Sequence, residues 1–251
     1  MTLKGWEEKY EEILTEFNYS KKKDIQSAKI LNFILKDKLP LKKLEQRIKN
    51  KTIFVIGAGP SLTRALPFLK RFKDITKIVA DGATRALVEN KIRPDIIITD
   101  LDGNWEFLKR AARNNSIMIV HSHGDNIEKL PVSLSFRLCI GTTEGKPFGK
   151  IRSFGGFTDG DRCVFLARYF GARKIVLFGM DFGTKVGRYS KERGDYDKRT
   201  KLKKLKKAKS LLEWLALKGG SEFYTTSAPT NGFTKIRYAD LRRIVRPQHL
   251  H

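Results

Sequence analysis

The stretch Ile96-Ile97-Ile98-Thr99-Asp100-Leu101-Asp102-Gly103 decides how this chain is read. Four apolar or β-branched residues run into two acids, one residue apart, and then a glycine. Such a run, closed by turn residues, predicts a strand buried on both faces. Alternate side chains of a strand share a face, so Asp100 and Asp102 are expected to point the same way. Neighbouring carboxylates repel unless a cation lies between them. Mg²⁺ is the cation that carboxylates commonly hold together with phosphate oxygens. Asp and Gly are also ordinary turn residues, so the octamer alone leaves a plain turn and a metal site both open.

The same logic extends to either side. Strands are predicted over 52–56, 77–80, 95–99, 116–120, 134–140, 174–178 and 222–225. Helices are predicted over 62–72, 84–91, 105–113, 158–170 and 200–219, with a short one over 238–245. Repeated strand–helix alternation predicts an α/β fold: a Rossmann-like, mostly parallel sheet with helices on both faces. Ligands of such sheets bind beyond the carboxyl ends of the strands. Asp81, Asp100, Asp102, His121, His123, Asp125 and Asp181 all follow predicted strands, so the fold would gather them on one edge.

Residues 1–50 read as a helical segment ahead of an α/β domain over 51–251. Trp6, Tyr10, Ile13, Leu14 and Phe17 recur at helical spacing; a second helix is expected over 23–36, and a third carries Leu41, Leu44 and Ile48 after Pro40. The expected role of this segment is a cap on the core, without chemistry of its own.

Lys and Arg number 51 against 27 Asp and Glu, a formal net charge of +24. That excess favours polyanionic partners such as nucleotides, nucleic acid or an anionic membrane. Cys139 and Cys163 stand alone, with no ligand spacing for zinc, and fit a reducing compartment. No run approaches the roughly 18 apolar residues of a membrane span, and residues 1–9 lack an apolar signal core. The expectation is a cytoplasmic protein without a membrane partner. The sequence leaves open whether it forms a homodimer.

Four further stretches bear on chemistry. Gly57-Ala58-Gly59 after a strand resembles the opening of a dinucleotide fingerprint, whose glycines let backbone approach phosphate at a helix N-terminus. Its third glycine position is Leu62, and Asp81 lies 24 residues after Gly57, near where a ribose-binding acid would stand. NAD binding, another nucleotide-phosphate turn and a structural turn all remain open there. His121-Ser122-His123-Gly124-Asp125 offers metal ligands, phosphate contacts or proton donors, or is a polar loop. In Gly155-Gly156-Phe157-Thr158-Asp159-Gly160-Asp161-Arg162, Thr158 and Asp161 are placed as a capping box. The glycines there offer an anion or pterin contact, and Arg162 faces either phosphate or solvent. Finally, Lys201, Lys203, Lys204, Lys206, Lys207 and Lys209 crowd one helix, as a solvated face or a phosphate-attracting flank. An irregular basic stretch, 184–199 with Gly187, Tyr189 and Gly194, precedes it.

Taken together, Gly57-Ala58-Gly59-Pro60-Ser61-Leu62, Asp81-Gly82-Ala83, Pro94-Asp95, Thr99 to Gly103, His121 to Asn126, Gly156 to Arg162 and Gly179-Met180-Asp181-Phe182-Gly183 resemble the archaeal 6-hydroxymethyl-7,8-dihydropterin pyrophosphokinase family, from about residue 50 to about residue 220. The Asp81-Gly82 and Asp100-Leu101-Asp102 blocks are also similar to thiamine pyrophosphokinases, which carry serine where this chain has Gly103. The resemblance implies Mg²⁺-dependent transfer of diphosphate from ATP to the hydroxymethyl group of a reduced pterin, releasing AMP. It implies Mg²⁺ on Asp100 and Asp102, and His121, His123 and Asp125 near the transferring group. Gly57, Gly59, Ser61, Asp81, Thr158, Asp159 and Asp181 would serve the nucleotide. Thiamine is the second choice of acceptor. A nucleic-acid-binding module ranks last, because no nucleic-acid motif accompanies the charge.

Overall fold

In a computed structural model covering residues 3–36, 40–190 and 197–246, three helices come first: α1 (Trp6–Phe17), α2 (Lys21–Ile34) and α3 (Leu41–Ile48). Strands and helices then alternate: β1 (Thr52–Ile56), α4 (Leu62–Leu69), β2 (Thr76–Ala80), α5 (Asp81–Glu89), β3 (Ile96–Thr99), α6 (Trp105–Arg113) and β4 (Ile117–His121). A 3₁₀ segment (Ile127–Ser135) leads to β5 (Cys139–Thr142), β6 (Ile151–Arg152), α7 (Asp159–Tyr169) and β7 (Lys174–Phe178). The long α8 (Lys198–Leu217), β8 (Glu222–Thr225), β9 (Thr234–Lys235), a 3₁₀ turn (Tyr238–Asp240) and α9 (Leu241–Val245) complete the order.

Among the described residues, nine strands form one sheet in the order β6-β5-β4-β3-β2-β1-β7-β8-β9, every pairing parallel. The α/β, Rossmann-like expectation therefore holds. Strand alternation divides the apolar residues between two cores. Ile53, Val55, Ile96 and Ile98 face a layer built from α1, α3, α7 and α8. Phe54, Ile56, Ile97 and Met118 face α2, α4, α5, α6 and α9. Central strands buried on both faces lose the polar–apolar alternation, which is why β3 reads as unbroken isoleucine.

The chain steps outward from β1 to β6, then returns to β7 on the other side of β1. Direction reverses between β1 and β7, where such sheets place a ligand crevice beyond the carboxyl ends.

The structure corrects one predicted strand. Residues 134–140 carry alternating Leu134, Phe136 and Leu138, but Ile127–Ser135 coils as 3₁₀ and β5 starts only at Cys139. Ser133 Oγ donates to Leu130 O at 2.7 Å and Ser135 Oγ to Val132 O at 2.8 Å. These local side-chain-to-backbone bonds compete with a ladder and win. The two-residue strands β6 and β9 are too short to show a pattern. Gly194 lies outside the described residues.

Phe165 of α7 ties three helices together. Its ring meets Trp6 of α1 edge-on, with centroids 5.4 Å apart, and stacks near Trp214 of α8 at 6.2 Å. We expect Phe165→Ala to cost about 3–5 kcal/mol, the usual range for emptying a buried aromatic site. Chemical denaturation would measure it, and a loss under 1 kcal/mol would mean that these helices are held elsewhere.

Candidate active site

Loops leaving β1, β2, β3, β4, β5 and β7 surround one cleft of about 240 Å³ at the carboxyl edge of the sheet. Of the residues singled out from sequence, Gly57, Gly59, Asp100, Asp102, His123, Asp125, Thr158, Asp159 and Asp181 line it. Ser61, Asp81 and His121 sit behind this lining, buried.

Asp81, Asp100, Asp102 and Asp159 converge at the centre: one carboxylate oxygen from each lies within 4.8 Å of the others. Sequence reasoning paired Asp100 with Asp102 and gave Asp81 and Asp159 to the nucleotide; the fold gathers all four. The convergence does not come from strand alternation. β3 ends at Thr99, and Leu101 takes a left-handed turn with φ of +66°. Leu101 N donates to Thr99 Oγ1 at 2.8 Å, and Asp102 N donates to Asp100 Oδ1 at 3.3 Å. The Thr99 hydroxyl donates to Asp81 Oδ2, which also accepts Gly103 N–H at 3.1 Å. A side chain on Gly103 would fall inside the Asp81 carboxylate. That glycine is therefore required by packing, whatever the acceptor.

The cluster is electrostatically uncomfortable. Asp81 is buried, and burial pushes its carboxyl up to about 7 against the hydrogen bonds from Thr99 and Gly103; the charges of Asp100 and Asp102 push the same way. Asp81 Oδ1 has no hydrogen-bond partner among the described residues. Asp159 is pushed well above the usual carboxylate range by burial and by Asp100, with Arg162 opposing. For Asp100 burial opposes ionisation, but His123, Asp102 and Arg162 outweigh it and hold the carboxyl below the usual range. Asp100 is thus the more readily ionised of the two, and Asp159 the less.

Behind the cluster runs a buried chain that sequence reasoning missed. Arg162, 7% exposed, donates from Nη1 to Asp159 Oδ1 at 3.2 Å and from Nη2 to Glu144 Oε1. Glu144 Oε2 lies 2.5 Å from His121 Nε2, and His121 Nδ1 lies 3.1 Å from Thr142 Oγ1. Burial and the Arg162 charge push His121 down to about 4, so it is neutral. Glu144 stays ionised despite burial, because His121 and Arg162 hold it below the usual range. Neutral His121 then donates from Nε2 to Glu144, with Nδ1 beside the Thr142 hydroxyl. His121 is absent from the cleft lining and meets it through Glu144 and the ring of His123, whereas the sequence set it near the transferring group. A lone glutamate between Thr143 and Gly145 carried no sequence signal.

His123 does face the cleft. Its Nδ1 accepts Asp125 N–H at 3.2 Å, so the neutral ring carries its proton on Nε2, 3.7 Å from Asp100 Oδ2. Asp125 itself stands exposed at the rim. Asn126 braces the loop, donating from Nδ2 to Asp100 O at 2.8 Å and to His121 O at 2.7 Å.

The glycine turn works differently from a dinucleotide fingerprint. Gly57 N–H donates to Phe178 O at 2.9 Å and Gly59 N–H to Gly179 O at 2.7 Å. Ser61 N–H and Oγ both donate to Asp181 Oδ2, at 2.9 and 3.0 Å. An acid thus caps the start of α4, and the amides a phosphate would use are engaged within the protein. The glycines are needed because a Cβ at Gly57 would meet Met180 Sδ at 2.5 Å, and one at Gly59 would meet Gly179 O at 2.6 Å. This turn offers the cleft a smooth wall and few donors. Thr158 and Asp161 cap α7 as expected: Phe157 N–H and Thr158 N–H each donate to the Asp161 carboxylate at 2.7 Å.

Positive charge comes from elsewhere. Lys185, Lys201 and Lys204 line the cleft. Their α8 neighbours bind α1: Lys203 Nζ donates to Glu16 O at 2.6 Å, and Lys207 bridges Glu12 and Glu16, each at 3.1 Å. The run of lysines is thus divided between helix packing and the cleft.

Residues 26–187 match the family described as 6-hydroxymethylpterin diphosphokinase MptE-like. The chain is similar to three curated archaeal proteins, each named 6-hydroxymethyl-7,8-dihydropterin pyrophosphokinase. Identity is 45% with that of Pyrococcus furiosus, covering 87% of this chain and 96% of the relative. It is 41% with that of Methanocaldococcus jannaschii, covering 89% and 99%. It is 42% with that of Methanothermobacter thermautotrophicus, covering 87% and 97%. Among solved structures, the MAf glycosyltransferase of Magnetospirillum magneticum AMB-1 aligns with a TM-score of 0.51 at 14% identity, over 83% of this chain. This chain spans 40% of that protein's length, and the likeness is one of fold alone.

Two outcomes follow from the carboxylate packing. Gly103→Ser should displace Asp81 and abolish activity while secondary structure by circular dichroism stays; a fully active variant would mean that Asp81 need not hold its place. In divalent-free buffer, Asp81 keeps its proton in the folded state between its ordinary value of 3.8 and about 7, whereas the unfolded chain loses it. The folded state then binds more protons, so stability falls as pH rises through that window. Melting curves of wild type and Asp81→Asn from pH 4 to 8 would test this. The variant should show a shallower decline and gain on wild type at pH 8; parallel curves would refute the assignment.

Proposed function

The chain belongs to the 6-hydroxymethylpterin diphosphokinase MptE-like family, and from this premise we propose that it transfers diphosphate from ATP to 6-hydroxymethyl-7,8-dihydropterin and releases AMP. The observation that supports this most is the meeting of Asp81, Asp100, Asp102 and Asp159 at the carboxyl edge of a parallel sheet, in a cleft also lined by Lys185, Lys201 and Lys204.

In the reaction the hydroxymethyl oxygen bonds to the β-phosphorus, and the bond from that phosphorus to the oxygen bridging to the α-phosphate breaks. Little covalent help is needed from protein; positioning and charge stabilisation carry such transfers. The residues suit a divalent cation: an all-oxygen donor set, a buried Asp81 Oδ1 without a hydrogen-bond partner among the described residues, and carboxyl groups whose protons a cation would replace. Mg²⁺ held there would neutralise phosphate oxygens and align them for in-line displacement. Asp100 and Asp102 would be its direct ligands, with Asp81 and Asp159 completing the set. Lys201 and Lys204 approach the phosphates from α8, and Lys185 from the loop after β7. His123 presents Nε2–H as a donor toward the cluster. Arg162 holds Asp159 in place.

The acceptor named by the relatives, a reduced pterin, stands ahead of thiamine. ATP and a reduced pterin place the work in the cytoplasm. Among the described residues no helix is long and apolar enough to cross a membrane.

Asp100→Asn and Asp102→Asn test the proposal. Each should lower AMP release by at least about a hundredfold, the scale of losing a group that stabilises transition-state charge. Melting temperature should hold. Full activity in either variant, or AMP release with thiamine and none with the pterin, would reverse the reading.

A further inference from the structure

The first two helices do more than cover the sheet. With the turn between them they bring Tyr10, Ile13, Tyr19 and Asp24 to one end of the cleft, which Phe157 and His123 also line. Two aromatic rings of the lining, Tyr19 and Phe157, have centroids 6.3 Å apart and share Lys204 Nζ at 5.5 and 5.9 Å; Phe17, outside the lining, packs on them at 5.7 and 4.8 Å. Asp24 is out of character for a helix face turned inward, since it is 7% exposed. Tyr10 Oη donates to its Oδ2 at 2.8 Å, and Gly124 N–H donates to its Oδ1 at 2.9 Å. Each carboxylate oxygen accepts more than one hydrogen bond, so both retain capacity while the plane of the group is fixed.

A fixed carboxylate beside aromatic walls complements a flat ring that carries two adjacent N–H donors on one edge. A reduced pterin carries that pair, its 2-amino group and N3–H, at the end opposite its hydroxymethyl substituent. The loop after β4 runs in the matching direction. Gly124 is bonded to Asp24, and the preceding residue, His123, lies 3.7 Å from Asp100. We propose that Asp24 receives the 2-amino/N3–H edge of the acceptor, making this end of the cleft the pterin subsite and turning the hydroxymethyl oxygen toward Asp100. The inference rests on the pterin reading of the site and adds to it the residues that choose the acceptor. Thiamine's pyrimidine sets a ring nitrogen, which is an acceptor, beside its amino group, so a carboxylate matches only half of that edge. The N-terminal helices thus hold specificity, and the sheet edge holds the transfer.

The test uses Asp24→Asn, which keeps shape and can still bond to Gly124 and Tyr10. Binding of 6-hydroxymethylpterin and of 6-hydroxymethyllumazine, with oxygen in place of the 2-amino group, is followed by ligand fluorescence. Wild type should prefer the pterin by about tenfold to a hundredfold, the scale of a hydrogen bond to a charged group. The variant should lose most of that preference and raise the pterin KM in step, with kcat and ATP affinity little changed. A purely structural Asp24 would weaken both ligands equally, and that outcome overturns the subsite. So does equal pterin affinity in wild type and variant, or no pterin binding to wild type. Pterin binding with the expected preference, but without AMP release from ATP, would support the subsite while removing the proposed reaction.

Discussion

Mutual repulsion among Asp81, Asp100, Asp102 and Asp159 is the constraint around which this cleft is built. Carboxylate oxygens within 4.8 Å of one another cannot all ionise without compensation. Their neighbours are chosen to hold them there. Thr99 supplies a hydroxyl to Asp81 and accepts Leu101 N–H, so one side chain pins both the buried acid and the turn. Leu101 adopts a backbone conformation uncommon for a residue with a side chain, and Gly103 has none because Asp81 occupies the space. Unfavourable geometry kept at this cost is the mark of a site selected for something other than stability.

The all-parallel sheet is what makes the gathering feasible. Each strand delivers its next residue to the same edge, so acids from the ends of β2 and β3 and the start of α7 meet without long excursions. At the reversal between β1 and β7, the loops bind one another through Gly57, Gly59, Ser61 and Asp181. Those loops form one wall of the cleft, which also reaches residues of α1 and α2, with lysines of α8 lining it. An acid floor and a basic flank suit a polyphosphate better than either would alone.

Much of this was legible in the sequence, and the exceptions have physical causes. Unbroken apolar strands and the acids after them gave the sheet and Asp100 with Asp102, because burial on both faces leaves a plain pattern. Asp81 and Asp159 were visible as residues, but their convergence with Asp100 and Asp102 was not, since it depends on register across strands. The glycine turn looked like a phosphate cradle, because sequence shows a glycine's freedom and not what crowds it. His121 stands two residues from His123, which lines the cleft, yet points into the protein, as the alternation of β4 dictates for its last residue. Glu144 and Asp24 left no trace: each is a single acid whose importance comes from partners more than ten residues away. The first helices read as a cap because amphipathic spacing reports packing and is silent about what a cap encloses.

Glu144 explains how a guanidinium can be buried beside the cluster. Arg162 lies beside Asp159 and draws its carboxyl down against burial. Glu144 takes one arm of the guanidinium and stays ionised, and neutral His121 donates to its other oxygen without adding charge. The sum over Arg162, Glu144 and His121 is zero. Arg162 therefore orients Asp159 and favours the charged forms of Asp100 and Asp159, while Glu144 offsets its charge within the same chain of contacts. A buried guanidinium without its partner would be left uncompensated, so removing Glu144 would disturb the placement of Asp159. Oriented acids that still carry charge are what a divalent ion requires, and this buried chain supplies them from residues outside the four-carboxylate cluster.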